Sequence, residues 1–157
     1  VNTNYGANVE ALPERLPGPD YFIRVPDNEY DAAFIGCEGF RFRGIKPKVA
    51  IWFRLINVDR QPLIAAYYNA LTIEDGSARI RNPEFTVGWR SRLARDLANL
   101  YPERYSPTNL PTAVPAIDMR VNQIRLRTRT VTRDMDGIRR APAFHSSVVC
   151  VVIGWIE

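Results

Sequence analysis

The sequence predicts a mainly β domain: five strands, with one capping helix between the third and the fourth, behind an irregular N-terminal arm. Three observations carry this expectation. Met119–Asp134, MRVNQIRLRTRTVTRD, alternates with period two, placing Ile124, Leu126, Thr128, Thr130 and Thr132 on one face. Arg125, Arg127, Arg129, Val131 and Arg133 fall on the other, the pattern of a half-buried strand. In KVAIWFRLIN, Lys48–Asn57, the set Val49, Ile51, Phe53 and Leu55 is wholly apolar. The period turns helical at Gly88–Tyr101, where Trp89, Leu93, Leu97, Leu100 and Tyr101 form one stripe.

A chain of 157 residues is long enough for one real core and short for two. Its 46% hydrophobic and 24% charged residues are those of a folded globular protein. No apolar run approaches the ~20 residues that cross a bilayer, so no membrane partner is expected. The chain starts with Val rather than Met and shows no basic leader followed by an apolar core, so no secretory signal is expected. Cys37 and Cys150 lie far apart, with no CxxC and no His/Cys cluster, which argues against a disulfide framework and against zinc. Cys150, inside VVCVVI, reads as a small buried hydrophobe. A reducing cytoplasm is the expected compartment, and no cofactor is called for.

Charge is unevenly spread. Residues 120–140 hold seven arginines against Asp134 and Asp136, so this segment is +5 in a chain of net charge +4. A local basic patch on a near-neutral body suits an anion-binding surface. The chain also has 19 Arg against 2 Lys, a bias that coding-DNA composition alone could produce.

In chain order, residues 1–28 contain four prolines and two glycines and read as the arm, either a disordered terminus or a packed or oligomer-forming segment. A domain is expected from 29 to 157. The first strand begins near Glu29, EYDAAFIGC, and is expected to break or bulge at Gly36 and Gly39. The connection EGFRFRGIKPK interleaves Phe40 and Phe42 with Arg41, Arg43, Lys46 and Lys48. In the second strand the apolar set faces the core, turning Trp52 and Arg54 outward together. NVDRQP is a turn, and Leu63–Ile73 is the third strand, with Tyr67 and Tyr68 on opposite faces and either one buried. Pro102 stops the helix. The arginine strand is the fourth, Asp136-Gly137 reverses the chain, and His145–Ile156 is the fifth, antiparallel to it.

The order β-β-β-α-β-β is that of the OB-fold, a partly open five-stranded Greek-key barrel plugged by its helix. Three stretches, KVAIWFRLIN, SRLARDLANLYP and RTRTVTRD with the following Gly, resemble those of the OB-fold single-stranded-DNA-binding proteins of bacteriophages and mobile elements. The likeness covers roughly residues 29–156 at the level of element order. It implies sequence-tolerant binding of single-stranded DNA in replication or recombination, without catalysis; RNA is not distinguished from DNA, and a homo-oligomer is compatible. The family also carries an acidic C-terminal tail that recruits replication partners, whereas this sequence ends GWIE, so tail-mediated recruitment is not carried over.

In an OB-fold, ligands bind on the strand 2–3 face and the 1–2 and 4–5 loops. The candidates there are Arg41, Phe42 and Arg43 in the first connection and Trp52 and Arg54 on the second strand. Arg125, Arg127, Arg129 and Arg133 on the fourth strand and Arg139 and Arg140 in the hairpin complete the set, the hairpin end being favoured over the whole ladder. Cations track phosphates while rings stack on bases. For each residue there is a plainer reading. The ladder could be a solvated or ion-paired face, Trp52 could be covered by the arm, and the helix charges Arg90, Arg92, Arg95 and Asp96 could simply be solvated. Phe53, Trp89 and Trp155 are expected in the core. Two other functions are compatible with the residues: an assembly module whose arginines meet an acidic protein partner, and a metal-dependent nuclease built on Asp134 and Asp136. His145 is the sole histidine, and no phosphate-cradling glycine motif occurs.

Overall fold

Period-two alternation becomes alternate burial in the folded chain. The computed structural model describes residues 16–17, 21, 23–42, 44–74, 79–88, 90–103, 123–134 and 136–156. Its strands are β1 (Glu29–Phe42), β2 (Lys46–Leu55), β3 (Leu63–Asn69), β4 (Thr72–Ile73), β5 (Arg79–Arg81), β6 (Phe85–Thr86), β7 (Ile124–Val131) and β8 (Ser146–Trp155). The helix α1 (Arg92–Leu100) lies between β6 and β7. On β7, Ile124, Leu126 and Thr128 are buried while Arg125, Arg127 and Arg129 are exposed, as the alternation requires.

The fold is mainly β. Five strands pair antiparallel in the order β3-β2-β1-β7-β8, β5 adds to β1, and β4 pairs with β6 separately. The hydrogen-bonded path is open, with β3 and β8 at its ends. Those two ends pack against each other, and α1 packs against both. The helix is bonded to each: Arg92 donates to the Tyr67 carbonyl of β3 at 2.6 Å, and Asn99 donates to the Val152 carbonyl of β8 at 2.7 Å. The core fills the inner face, where Val49, Ile51, Phe53 and Leu55 of β2 meet Leu93, Leu97 and Leu100 of α1.

Several boundaries differ from those the sequence suggests. The irregularity expected at Gly36 is present as a register shift between Phe34 and Gly36, but it does not end the strand, and β1 runs on through Gly39 to Phe42. Gly39 is small because of packing: a Cβ there would lie 2.2 Å from Ile73 Cδ1 and 2.7 Å from Pro83 Cγ. β3 stops at Asn69, and Ile73 belongs to β4. The helix starts after Ser91, whose hydroxyl accepts the Ala94 N–H at 3.1 Å, an N-cap the apolar stripe could not reveal.

Asp96 is not part of a solvated face. It lies three residues after Leu93 and four before Leu100, on the buried side, and accepts the Tyr68 hydroxyl proton at 2.6 Å. Trp155 is also not in the core. It pairs with Ile124 at the end of β8, remains 42% exposed, and donates its indole N–H to the Leu100 carbonyl at 2.8 Å. The reading of Trp89 as core falls outside the described residues.

Part of the arm is built into the domain. The Ser147 hydroxyl both accepts from the Val25 N–H and donates to the Val25 carbonyl, each at 3.0 Å, and Val25 is buried in the core. Thr130 donates to Asp27 at 2.8 Å, and the Thr128 hydroxyl lies within hydrogen-bonding distance of the Pro26 and Asn28 carbonyls. The inner face of β7 changes from Ile and Leu to Thr where it meets backbone instead of side chains, and buried backbone polar groups need partners.

Candidate functional site

A basic concavity forms where several elements meet. The β1–β2 turn brings Phe40, Phe42 and Lys48; the outer face of β2–β3 brings Trp52, Ala65 and Tyr67; β5 and α1 bring Arg79 and Arg92; and β7–β8 brings Arg129, Val131, Arg133, Arg140 and Ser146–Val149. Tyr21 and Ile23 of the arm complete the lining of a cleft of about 420 Å³. Among the described residues, six cations and one carboxylate, Asp134, line it.

Neutral acceptors orient several of these cations. Arg92 bonds to the Tyr67 carbonyl and sits 4.6 Å over the Tyr68 ring. Arg133 donates to the Gly137 carbonyl at 2.9 Å, and Arg140 donates to the Phe144 carbonyl at 3.3 Å and the Ser146 hydroxyl at 3.2 Å. Lys48 donates to the Asn69 side chain at 2.6 Å, and burial, then the neighbouring Lys46 charge, lowers its pKa. Arg79 has Glu38 as an ion-pair partner and also lies 5.2 Å over the Phe40 ring.

The floor is aromatic. Tyr67 is 36% exposed, and burial raises its phenol pKa. Trp52 faces outward as its register requires, yet it is only 4% exposed. Ile35, Ala50 and Ala65 make a second apolar cluster with it on this outer face, and Leu16, Tyr21, Phe40 and Leu63 pack over that cluster. Tyr67 stands edge-on to Trp52 at 6.5 Å and offers the accessible ring.

The arginine ladder divides. Arg125 pairs with Asp31 at 2.7 Å and Arg127 with Glu29 at 2.8 Å, because β1 lies beside β7 in a register that sets Asp31 opposite Arg125 and Glu29 opposite Arg127. The hydrogen bond from Arg127, ahead of the coulombic effects of both arginines, holds the Glu29 carboxyl below the usual carboxylate range. Arg129, one alternation further, forms no side-chain hydrogen bond or ion pair among the described residues and lines the cleft. The solvated-or-paired reading therefore applies to the first half of the ladder.

The other sequence candidates scatter. Arg41 donates to the Ile73 carbonyl at 3.0 Å and Arg54 to the Gln61 carbonyl at 3.3 Å, both outside the cleft lining. Arg139 is exposed on the hairpin, bridged through its backbone to Arg133. Arg43 lies outside the described residues. Asp134 accepts the N–H groups of Asp136 and Ile138 at 2.9 and 3.0 Å, which makes it a turn-forming residue. Sequence reasoning missed Arg79, Arg92 and Tyr67 as members of the cleft. Arg79 and Arg92 come from a three-residue strand and a helix whose sequence neighbours lie elsewhere, and the Tyr67/Tyr68 choice needed the β2–β3 register. Comparison with protein-family models, with curated proteins and with solved structures finds no match to this chain.

Proposed function

We propose that this chain is a non-enzymatic, sequence-tolerant single-stranded-nucleic-acid-binding protein, with DNA in replication or recombination of a phage or mobile element as its ligand. The observation that carries the reading is the cleft, in which Lys48, Arg79, Arg92, Arg129, Arg133 and Arg140 surround Phe42 and Tyr67. Single strands need this pairing of chemistries: cations for the phosphates and rings for the bases, each stacked base contributing about 1–3 kcal/mol. The open sheet path is read as an OB-like Greek-key barrel whose last side, between β3 and β8, is completed by packing and by α1. The strand order, the β3–β8 packing and the helix bonds to both ends support that reading. The cleft then corresponds to the β2–β3 face and its two flanking loops, where that fold binds its ligands.

The test is fluorescence anisotropy of labelled oligo-dT across a salt series. Counter-ion release contributes about −0.7 to the slope of log K against log salt for each phosphate neutralised on a single strand, so six engaged cations give about −4. Absence of salt-dependent affinity for oligo-dT contradicts the proposal. Salt-dependent binding of an acidic polypeptide with no binding of oligo-dT would favour an acidic protein partner instead.

A further inference from the structure

The cleft floor holds an aromatic contact within the chain that copies a ligand. Tyr21, from the arm, stands edge-on to Trp52 with centroids 5.9 Å apart and is fixed by a hydrogen bond from its hydroxyl to the Leu63 carbonyl of β3 at 2.9 Å. Burial raises the Tyr21 phenol pKa, consistent with a ring seated on the sheet rather than in solvent. The Trp52 indole N–H is buried and has no hydrogen-bond partner among the described residues. A buried donor without an acceptor is costly, and native proteins rarely keep one without a reason. Tyr21 supplies an edge-on ring contact to Trp52 but no acceptor for its N–H. A nucleobase supplies both.

We propose that the outer face of Trp52 is a nucleobase subsite that Tyr21 occupies in the free protein. A base displaces Tyr21, sets its carbonyl edge against the indole edge of Trp52, and accepts the in-plane indole N–H through an exocyclic carbonyl oxygen. Thymine, uracil, cytosine and guanine carry such an oxygen and adenine does not. The inference rests on the nucleic-acid reading of the cleft and goes beyond it: the arm is a competitor that sets affinity, and Trp52 reads the acceptor.

The test uses the full chain and short oligo-dT, with thermal unfolding confirming that each variant is folded. Tyr21→Ala removes the competitor and is expected to tighten oligo-dT binding about three- to tenfold. Tyr21→Phe, which keeps the ring and loses only the Leu63 bond, is expected to fall between it and the wild type. Replacing thymines by 2,4-difluorotoluene, an isostere without carbonyl acceptors, is expected to weaken wild-type binding about fivefold and to make little difference to Trp52→Phe. Weaker binding by Tyr21→Ala would mean that the arm contacts the ligand, and would overturn the competitor role. Equal sensitivity of wild type and Trp52→Phe to the isostere would overturn the role of the indole. In both cases wild-type protein still binds oligo-dT with a steep salt dependence; loss of that binding would remove the underlying reading itself.

Discussion

At the scale of single residues, burial decides which side chains can act. Cys37 is 3% exposed, and burial, reinforced by the Glu38 charge, pushes its thiol pKa up to about 12. The thiolate is the reactive form, so a thiol-specific reagent at pH 8 should leave Cys37 unmodified in folded protein and label it only after denaturation. Quantifying labelled peptides with and without denaturant checks this. Gly39 has no room for a methyl group against Ile73 and the rigid Pro83 ring. Gly39→Ala should therefore destabilise the fold by about 1–3 kcal/mol in chemical denaturation, as overpacked cores do. Neither property can be read from the sequence, where Gly39 suggests a bulge or sharp bend and Cys37 looks like any thiol. Trp52 marks the same limit. Its outward direction followed from alternation, but its cover came from the arm and from Phe40, which no local pattern announces.

At the scale of elements, the alternation on β7 was fully legible and its meaning was not. Period two separated arginines from the core face correctly, because a strand with one buried face admits one register. Which arginines were already paired depended on β1, nearly a hundred residues earlier in the chain, arriving beside β7 with Glu29 and Asp31 in register. Those pairs make stability pH-dependent. The folded pKa of Glu29 lies below its ordinary 4.5, so the contribution is present above that value and is lost as pH falls through the lowered one. Asp96 has the opposite sign: burial raises its pKa, so its contribution is present at low pH and declines as pH rises through the raised value. Subtracting the acid-unfolding profile of Glu29→Gln from that of the wild type cancels Asp96, and the difference should shrink as pH falls below 4.5 and through the lowered Glu29 value. A difference that stays constant across that range would show that the pairing does not shift Glu29. Tyr68→Phe should cost about 1–3 kcal/mol, measured by chemical denaturation, because it removes a donor from the buried Asp96 carboxylate.

At the scale of the whole molecule, the sequence foresaw a mainly β chain with its helix before the last hairpin, because long periodic segments declare their type. It did not foresee the short β4, β5 and β6, whose few residues carry no periodicity, or a cleft assembled from segments far apart in the chain. Arg129, Arg133 and Arg140, at the hairpin end of the ladder, line the cleft, whereas Arg125 and Arg127 are paired with Asp31 and Glu29. The two halves can be set against each other directly. Oligo-dT affinity across a salt series should be compared for Arg129→Ala/Arg133→Ala and for Arg125→Ala/Arg127→Ala. The cleft pair is expected to lose about tenfold or more in affinity at low salt and to make the log–log salt slope less negative by about 1.4, while the ladder pair stays within about threefold with its slope unchanged. A larger loss from the ladder pair, or a wild-type affinity insensitive to salt, would contradict the cleft as the nucleic-acid interface.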